Sequence, residues 1–180
     1  MKDKFKALIK EAVFSWSDPD IYAISLFVYD ENDNPCRPTV TLGYNTEEQY
    51  RDSLDLTDEK EARWNYAFWL QNQELYFGAG DSADDIRLWL EAKGLPFYDD
   101  NEVLSDESYR DLERVTHLFV DELIAVVREL HAEKFLTSKF GRELPVIIHE
   151  LEYYDEIAEQ NIQANGELLD KSFIDFCTGG

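Results

Sequence analysis

The chain has 180 residues, 44% of them hydrophobic and 14% aromatic, enough to fill a core and too apolar for global disorder. Thirty-nine acids against seventeen bases leave a net charge of −22, which repels nucleic acid and anionic membrane surfaces and favours a cationic partner. Cys36 and Cys177 are too few and too far apart for a disulfide framework or a zinc knuckle, and reduced thiols in a cytoplasmic protein are expected.

The amino-terminal stretch is charged throughout, unlike a signal peptide. Phe5, Leu8, Ile9, Ala12, Val13 and Trp16 fall at helical spacing, so residues 3–16 are expected to form an amphipathic helix ended by Ser17-Asp18-Pro19-Asp20. The run 21–29, apolar on both alternating faces, predicts a central strand covered on both sides. The turn-rich residues after it and the alternating 39–44 predict an antiparallel hairpin. Thr46-Glu47-Glu48-Gln49 has the pattern of a capping box and should open a short helix. Within 61–78, Trp64, Phe68 and Trp69 follow a helical period and are read as core, while Glu74–Phe77 suits a short strand. Ser82 is the expected cap of a helix carrying Ile86, Trp89 and Leu90, stopped by Gly94 and Pro96.

From about 105 to 135, Leu112, Val115, Phe119, Leu123, Val126 and Leu130 step by three or four, predicting one long helix. Pro145 opens a short strand over 145–151, and residues 152–177 read as one or two helices broken near Asn165-Gly166. This order implies a single α+β domain over 1–180, with a small, mainly antiparallel sheet packed against several helices.

Motifs for chemistry are sparse. His117 and His131 lie fourteen residues apart on the same predicted helix, roughly 21 Å of rise, too far to share a metal. His149-Glu150 begins an HExxH-like pattern, but Tyr153 stands where the second histidine belongs. Nucleophile elbows and phosphate-binding glycine loops are missing from the sequence, so neither catalytic residues, a metal nor a cofactor is expected. Carboxylate pairs near His149 leave open the alternative of a small enzyme or ligand-binding domain.

The acids are concentrated. Asp99, Asp100, Glu102, Asp106 and Glu107 crowd the start of the long helix, and Glu150, Glu152, Asp155, Glu156 and Glu159 follow the late strand with no base between Glu143 and Asp170. The bases gather elsewhere, as Lys2, Lys4, Lys6 and Lys10 at the start and Arg128, Lys134, Lys139 and Arg142 before that strand. Such segments suit solvated helix faces or a steering surface for a basic protein. Tyr153 and Tyr154 add aromatic area of the kind that anchors interfaces, although Tyr153 can equally pack on the sheet. The candidate partner-binding set is therefore Asp99, Asp100, Glu102, Asp106, Glu107, Glu150, Glu152, Tyr153, Tyr154, Asp155, Glu156 and Glu159.

Three blocks taken in order, IYAISLFVYDENDNPCRPTVTLGYNTEEQY, RWNYAFWLQNQ and PVIIHELEYYDEIAEQN, resemble an uncharacterised bacterial conserved-domain family whose members occur among immunity proteins of polymorphic toxin systems. Its most specific parts here are Asn45-Thr46-Glu47-Glu48 and Arg63-Trp64 with Trp69. The resemblance spans about residues 5 to 177 and carries no catalytic residues. It implies an acidic cytoplasmic binder that neutralises a cognate toxin domain, a basic and nuclease-like one to judge from the charge. An acidic scaffold for host proteins is the blander alternative.

Overall fold

The apolar run beginning at Ile21 becomes β1 (Ile21–Asp30), an inner strand of a four-stranded sheet in the computed structural model of the chain, which describes residues 1–95 and 106–179. β2 (Pro38–Thr46) returns antiparallel to it, with Leu26 opposite Leu42 and Val28 opposite Val40. β3 (Leu75–Phe77) adds to β2, again antiparallel, and β4 (Val146–His149) lies parallel to β1 on its other side. The strand order is β3-β2-β1-β4, a mixed sheet in an α+β fold. Among the described residues the late strand is thus the one parallel element and an edge.

Side chains alternate across a strand, so β1 feeds two cores. Ile24, Leu26 and Val28 join Val40, Leu42, Val146 and Ile148 on one face. That face is covered by α1 (Lys2–Ser15), α4 (Ala83–Lys93) and α5 (Asp106–Ala132) through residues such as Phe5, Ile9, Trp89, Phe119 and Leu123. An irregularity between Ile21 and Ala23 shifts the alternation, so Tyr22 and Ala23 both turn to the second face. There they meet Trp64, Tyr66 and Trp69, with Ile157 and Ala158 of α7 (Asp155–Asn165) and Phe173 and Cys177 of α8 (Lys171–Cys177). Each fully buried Phe, Leu or Ile removed from water contributes about 1.5–3 kcal/mol, so both faces hold the sheet.

The helix starts follow the sequence unevenly. The Thr46 hydroxyl accepts from the Gln49 amide and opens α2 (Glu47–Ser53), but the Gln49 side chain bonds Ser53 and the Phe68 carbonyl instead of closing a capping box. Asp58 caps α3 (Glu59–Trp64), which stops where Asn65 turns extended and restarts the chain as a single 3-10 turn over 66–68. The aromatics at helical spacing therefore sit on two short elements. Ser82 does not cap α4: its hydroxyl accepts from the Gly78 amide and donates to the Ala79 carbonyl, bracing the turn before the helix. Gly94 ends α4 in the left-handed region, as expected; Pro96 lies outside the described residues. The long helix ends at Ala132, and Lys134 in a left-handed conformation separates it from α6 (Phe135–Phe140).

Trp64 and Trp69 are buried, and each indole N–H has a partner, Ser172 at 2.9 Å and the Arg63 carbonyl at 3.0 Å. Arg63 lies over the Tyr22 ring at 3.6 Å while its guanidinium pairs with Glu47 at 2.8 Å. The aromatic segment is core.

Candidate functional site

The described part of the sequence-predicted site, Glu150 to Glu159, lies just past the carboxyl ends of the parallel pair β1–β4, on the connection into α7 and its first turns. β4 is only four residues long, and its outer edge meets no further strand among the described residues. Two buried asparagines on α7, one helical turn apart, serve that edge. Asn161 accepts from the Ile148 amide and donates to the Ile148 carbonyl; Asn165 does the same for Val146, all at 2.6–2.9 Å. Each amide side chain imitates a neighbouring strand, and this locks α7 against β4.

His149, the last residue of β4, is fully buried. Its Nδ1 lies 3.0 Å from the Glu150 carbonyl oxygen, which can only accept, so Nδ1 carries the proton. Nε2 therefore accepts from the Ser25 hydroxyl at 2.8 Å. Burial holds the imidazole neutral and pushes its pKa down to about 4. Tyr153 stacks on the ring at 6.1 Å and 9°, and Phe27, Tyr66 and Trp69 surround it. Ser25 and His149 have the spacing of a nucleophile and its base, but both are sealed within the sheet and the aromatic core. Their arrangement pins strand to strand.

Tyr153, one of the two candidate anchors, turns inward. It is half-buried, packs edge-on to Phe173 and Phe176, and its phenol oxygen accepts the Tyr66 amide at 3.1 Å. Burial raises its phenol far above the ordinary tyrosine range. Tyr154 is the exposed member of the pair; its hydroxyl reaches toward Glu150 at 3.4 Å, and burial together with that carboxylate pushes it up to about 12. Glu150 is half-buried, and desolvation raises its carboxyl above the usual value. Glu152, Asp155, Glu156 and Glu159 are exposed along the connection and the first turns of α7. Asp155 and Glu156 also favour the helix by standing at the positive end of its dipole.

Asp106 and Glu107 lie in the first turn of α5, whose side chains there are not described, and Asp99, Asp100 and Glu102 lie outside the described residues.

The amino-terminal lysines meet acids in space. Lys2 and Lys6 both reach Glu129, Lys6 and Lys10 reach Glu133, Lys4 pairs with Asp85 at 2.6 Å, and Lys93 with Glu122 at 3.1 Å. The two lysines on Glu129 hold its carboxyl down to about 2. In contrast, none of Glu150, Glu152, Asp155, Glu156 and Glu159 pairs with a lysine or arginine among the described residues.

Glu150, Glu152 and Glu156 border a cavity of about 890 Å³. Its walls among the described residues include the end of β1 (Phe27 to Asp30), Thr116, His117 and Val120 of α5, and the Glu150–Glu156 segment. Sequence reasoning missed Ser25, Asn161 and Asn165. The i, i+4 asparagines within an otherwise apolar helix face were the signal for two of them; Ser25 carried none, since a serine inside an apolar strand reads as neutral. No group of three or more His, Cys, Asp or Glu among the described residues is placed to hold a metal ion. No helix among them is long and apolar enough to cross a membrane. No family model, curated protein or solved structure matches this chain.

Proposed function

We propose that the chain is an immunity-type binding protein of the cytoplasm that inhibits a basic, nuclease-like toxin domain by covering its cationic cleft. Nucleases acting on polyanions need positive clefts, and a rigid acidic face can occupy one without chemistry, cofactor or metal. The observation that carries this reading is the unpaired acidic ridge: Glu150, Glu152, Asp155, Glu156 and Glu159 lie together on the β4–α7 connection and the start of α7, while the amino-terminal lysines are consumed by Asp85, Glu129 and Glu133. Like charges held close repel one another, and beyond solubility the free protein gains only the favourable placement of Asp155 and Glu156 at the amino end of α7. Tyr154 supplies aromatic area at the centre of the ridge. Direct binding of nucleic acid or of an anionic membrane runs against the same charge.

The test is association kinetics with the product of an adjacent toxin gene at low and physiological ionic strength. Asp155→Lys with Glu156→Lys is expected to slow association by about tenfold or more and to flatten its salt dependence, while lowering the melting temperature by no more than a few degrees (~1–2 kcal/mol), since it sets cations at the positive end of the α7 dipole. An association rate indifferent to both salt and charge reversal removes the electrostatic basis of the proposal.

A further inference from the structure

The cavity beside the acidic ridge takes its described walls from three elements: the end of β1, the middle of α5 and the connection from β4 into α7. Phe27, Val28 and Val120 give it apolar surface, and Tyr29 and Tyr154 are wall residues with 37% and 40% of their area exposed. Glu150, Glu152 and Glu156 give it carboxylates, and none of the three pairs with a lysine or arginine among the described residues. At about 890 Å³ it falls within the roughly 300–1,000 Å³ of clefts that enclose a ligand, which leaves room for a long side chain and the stretch of backbone that carries it.

Glu150 is the wall residue with the most to gain from an occupant. Its carbonyl accepts from Nδ1 of buried His149, so the residue stands on a fixed base. Its side chain is half-buried, and its carboxyl lies above the usual range because burial strips it of water. The Tyr154 hydroxyl at 3.4 Å, near the long limit of a hydrogen bond, and the field of His117 oppose that shift without cancelling it. A carboxylate kept in place and short of partners is completed by a cation from outside. The occupant needs an apolar stem to pass Phe27 and Val120, and a head that sheds water readily. A guanidinium fits better than an ammonium: it is weakly hydrated, stacks on aromatic rings and meets a carboxylate with two parallel N–H groups.

We infer that this cavity seats an arginine side chain of a protein partner, with its guanidinium against the Glu150 carboxylate and its methylene stem along Phe27 and Val120. The inference rests on the proposed role as a binder of a basic protein and names the residue that the partner contributes. The guanidinium replaces the water that Glu150 has lost, and the rings of Tyr29 and Tyr154 supply the aromatic surface around it. Glu152 and Glu156 add to the negative field inside the cavity. The exposed acids of α7 then steer the partner, while the seated arginine holds it and sets how long it stays.

The test uses the full chain and N-acetyl-arginine amide as the probe, with the lysine and norleucine amides as controls, followed by the backbone amide signals of the protein. The arginine amide is expected to bind at about millimolar concentrations and to shift the signals of Val28, His117 and Glu150. The lysine amide should bind about threefold or more weakly, and the norleucine amide should leave these signals in place. Glu150→Gln, which keeps the shape of the side chain, should weaken the arginine amide by about tenfold, whereas Glu159→Gln, on α7 but off the cavity, should leave its affinity unchanged. Equal binding of arginine and lysine amides, shifts confined to the exposed turns of α7, or the same loss in both variants would overturn the inference. In those cases a salt-dependent association with the toxin domain still upholds the binding role. Arginine binding that depends on Glu150, alongside a salt-indifferent toxin interaction, retains the seat and discards the toxin assignment.

Discussion

Replacing His149 by glutamine should remove a specific part of the protein's acid sensitivity. The unfolded chain takes up a proton on this residue near the ordinary histidine value of about 6.5. In the folded chain the ring is buried, its Nε2 accepts from Ser25, and it stays neutral down to about pH 4. Because the folded-state pKa is the lower one, the unfolded state binds more protons as the medium acidifies. Stability is therefore full above about 6.5 and is lost progressively as pH falls toward about 4. Between about pH 7.5 and about pH 5 the linkage amounts to about 2 kcal/mol, and this interval stays above the isoelectric point near 4.3, where association of neutralised chains would intrude. Urea unfolding at a series of pH values measures the effect in the native protein and in His149→Gln. The variant carries a constant penalty for its altered packing and lost ring contacts, so only the change of the difference with pH is informative. That difference should shrink by about 2 kcal/mol across the interval, with unchanged m-values. Parallel stability curves would show that His149 charges as readily folded as unfolded, which the buried Ser25–His149–Glu150 arrangement does not allow.

Other consequences are simpler to check. Trp64→Ala should cost roughly 3–5 kcal/mol by thermal or urea unfolding, since it empties a core site and strands the Ser172 partner; a variant that kept its melting temperature and lost only partner binding would move this segment to the interface. Asn165→Ala should cost about 1–3 kcal/mol for each β4 backbone group left without a partner, and Asn161→Ala likewise. Cys177, whose thiol burial pushes up to about 12, and buried Cys36 should react with a thiol reagent only on unfolding. Protein purified without added metal should contain no stoichiometric zinc or iron; metal that disappears with His149→Ala would contradict this.

The parts of the fold that local chemistry dictates were legible in the sequence. The hairpin, the long helix through Phe119 and Leu123, the Thr46 cap and the Gly94 stop each depend on residues close together in the chain. What was hidden depends on distant partners. The run Val146–His149 reads the same whether its neighbour is parallel or antiparallel, and nothing local says that it forms an edge. Ser82 has the composition of a cap, but the Gly78 amide competes for its hydroxyl and wins. Tyr153 and Tyr154 are equivalent on paper; the aromatic pocket around His149 draws one of them in. The segregation of charge along the chain was real, yet half of its meaning lay in the third dimension. Lys2, Lys6 and Lys10, each one turn apart, form a stripe that meets Glu129 and Glu133, also one turn apart, and the basic and acidic segments neutralise each other there. The acids after β4 have no such stripe of cations against them among the described residues.

The order in which the sheet is completed sets a problem for the growing chain. β1 and β2 emerge from the ribosome early and can pair at once, but the parallel neighbour of β1 arrives more than a hundred residues later, and the asparagines that finish its edge lie later still, at 161 and 165. Contacts between such remote segments form slowly, because a long loop must close before any of them is gained. Throughout that interval the most apolar strand of the protein offers a bare side to other nascent chains, the arrangement from which edge-to-edge aggregation starts. A chain with so large an excess of negative charge keeps its unfinished copies apart by repulsion. The acidity of the finished surface thus also guards the half-made sheet during synthesis, and a charge-neutralised variant should lose yield before it loses stability.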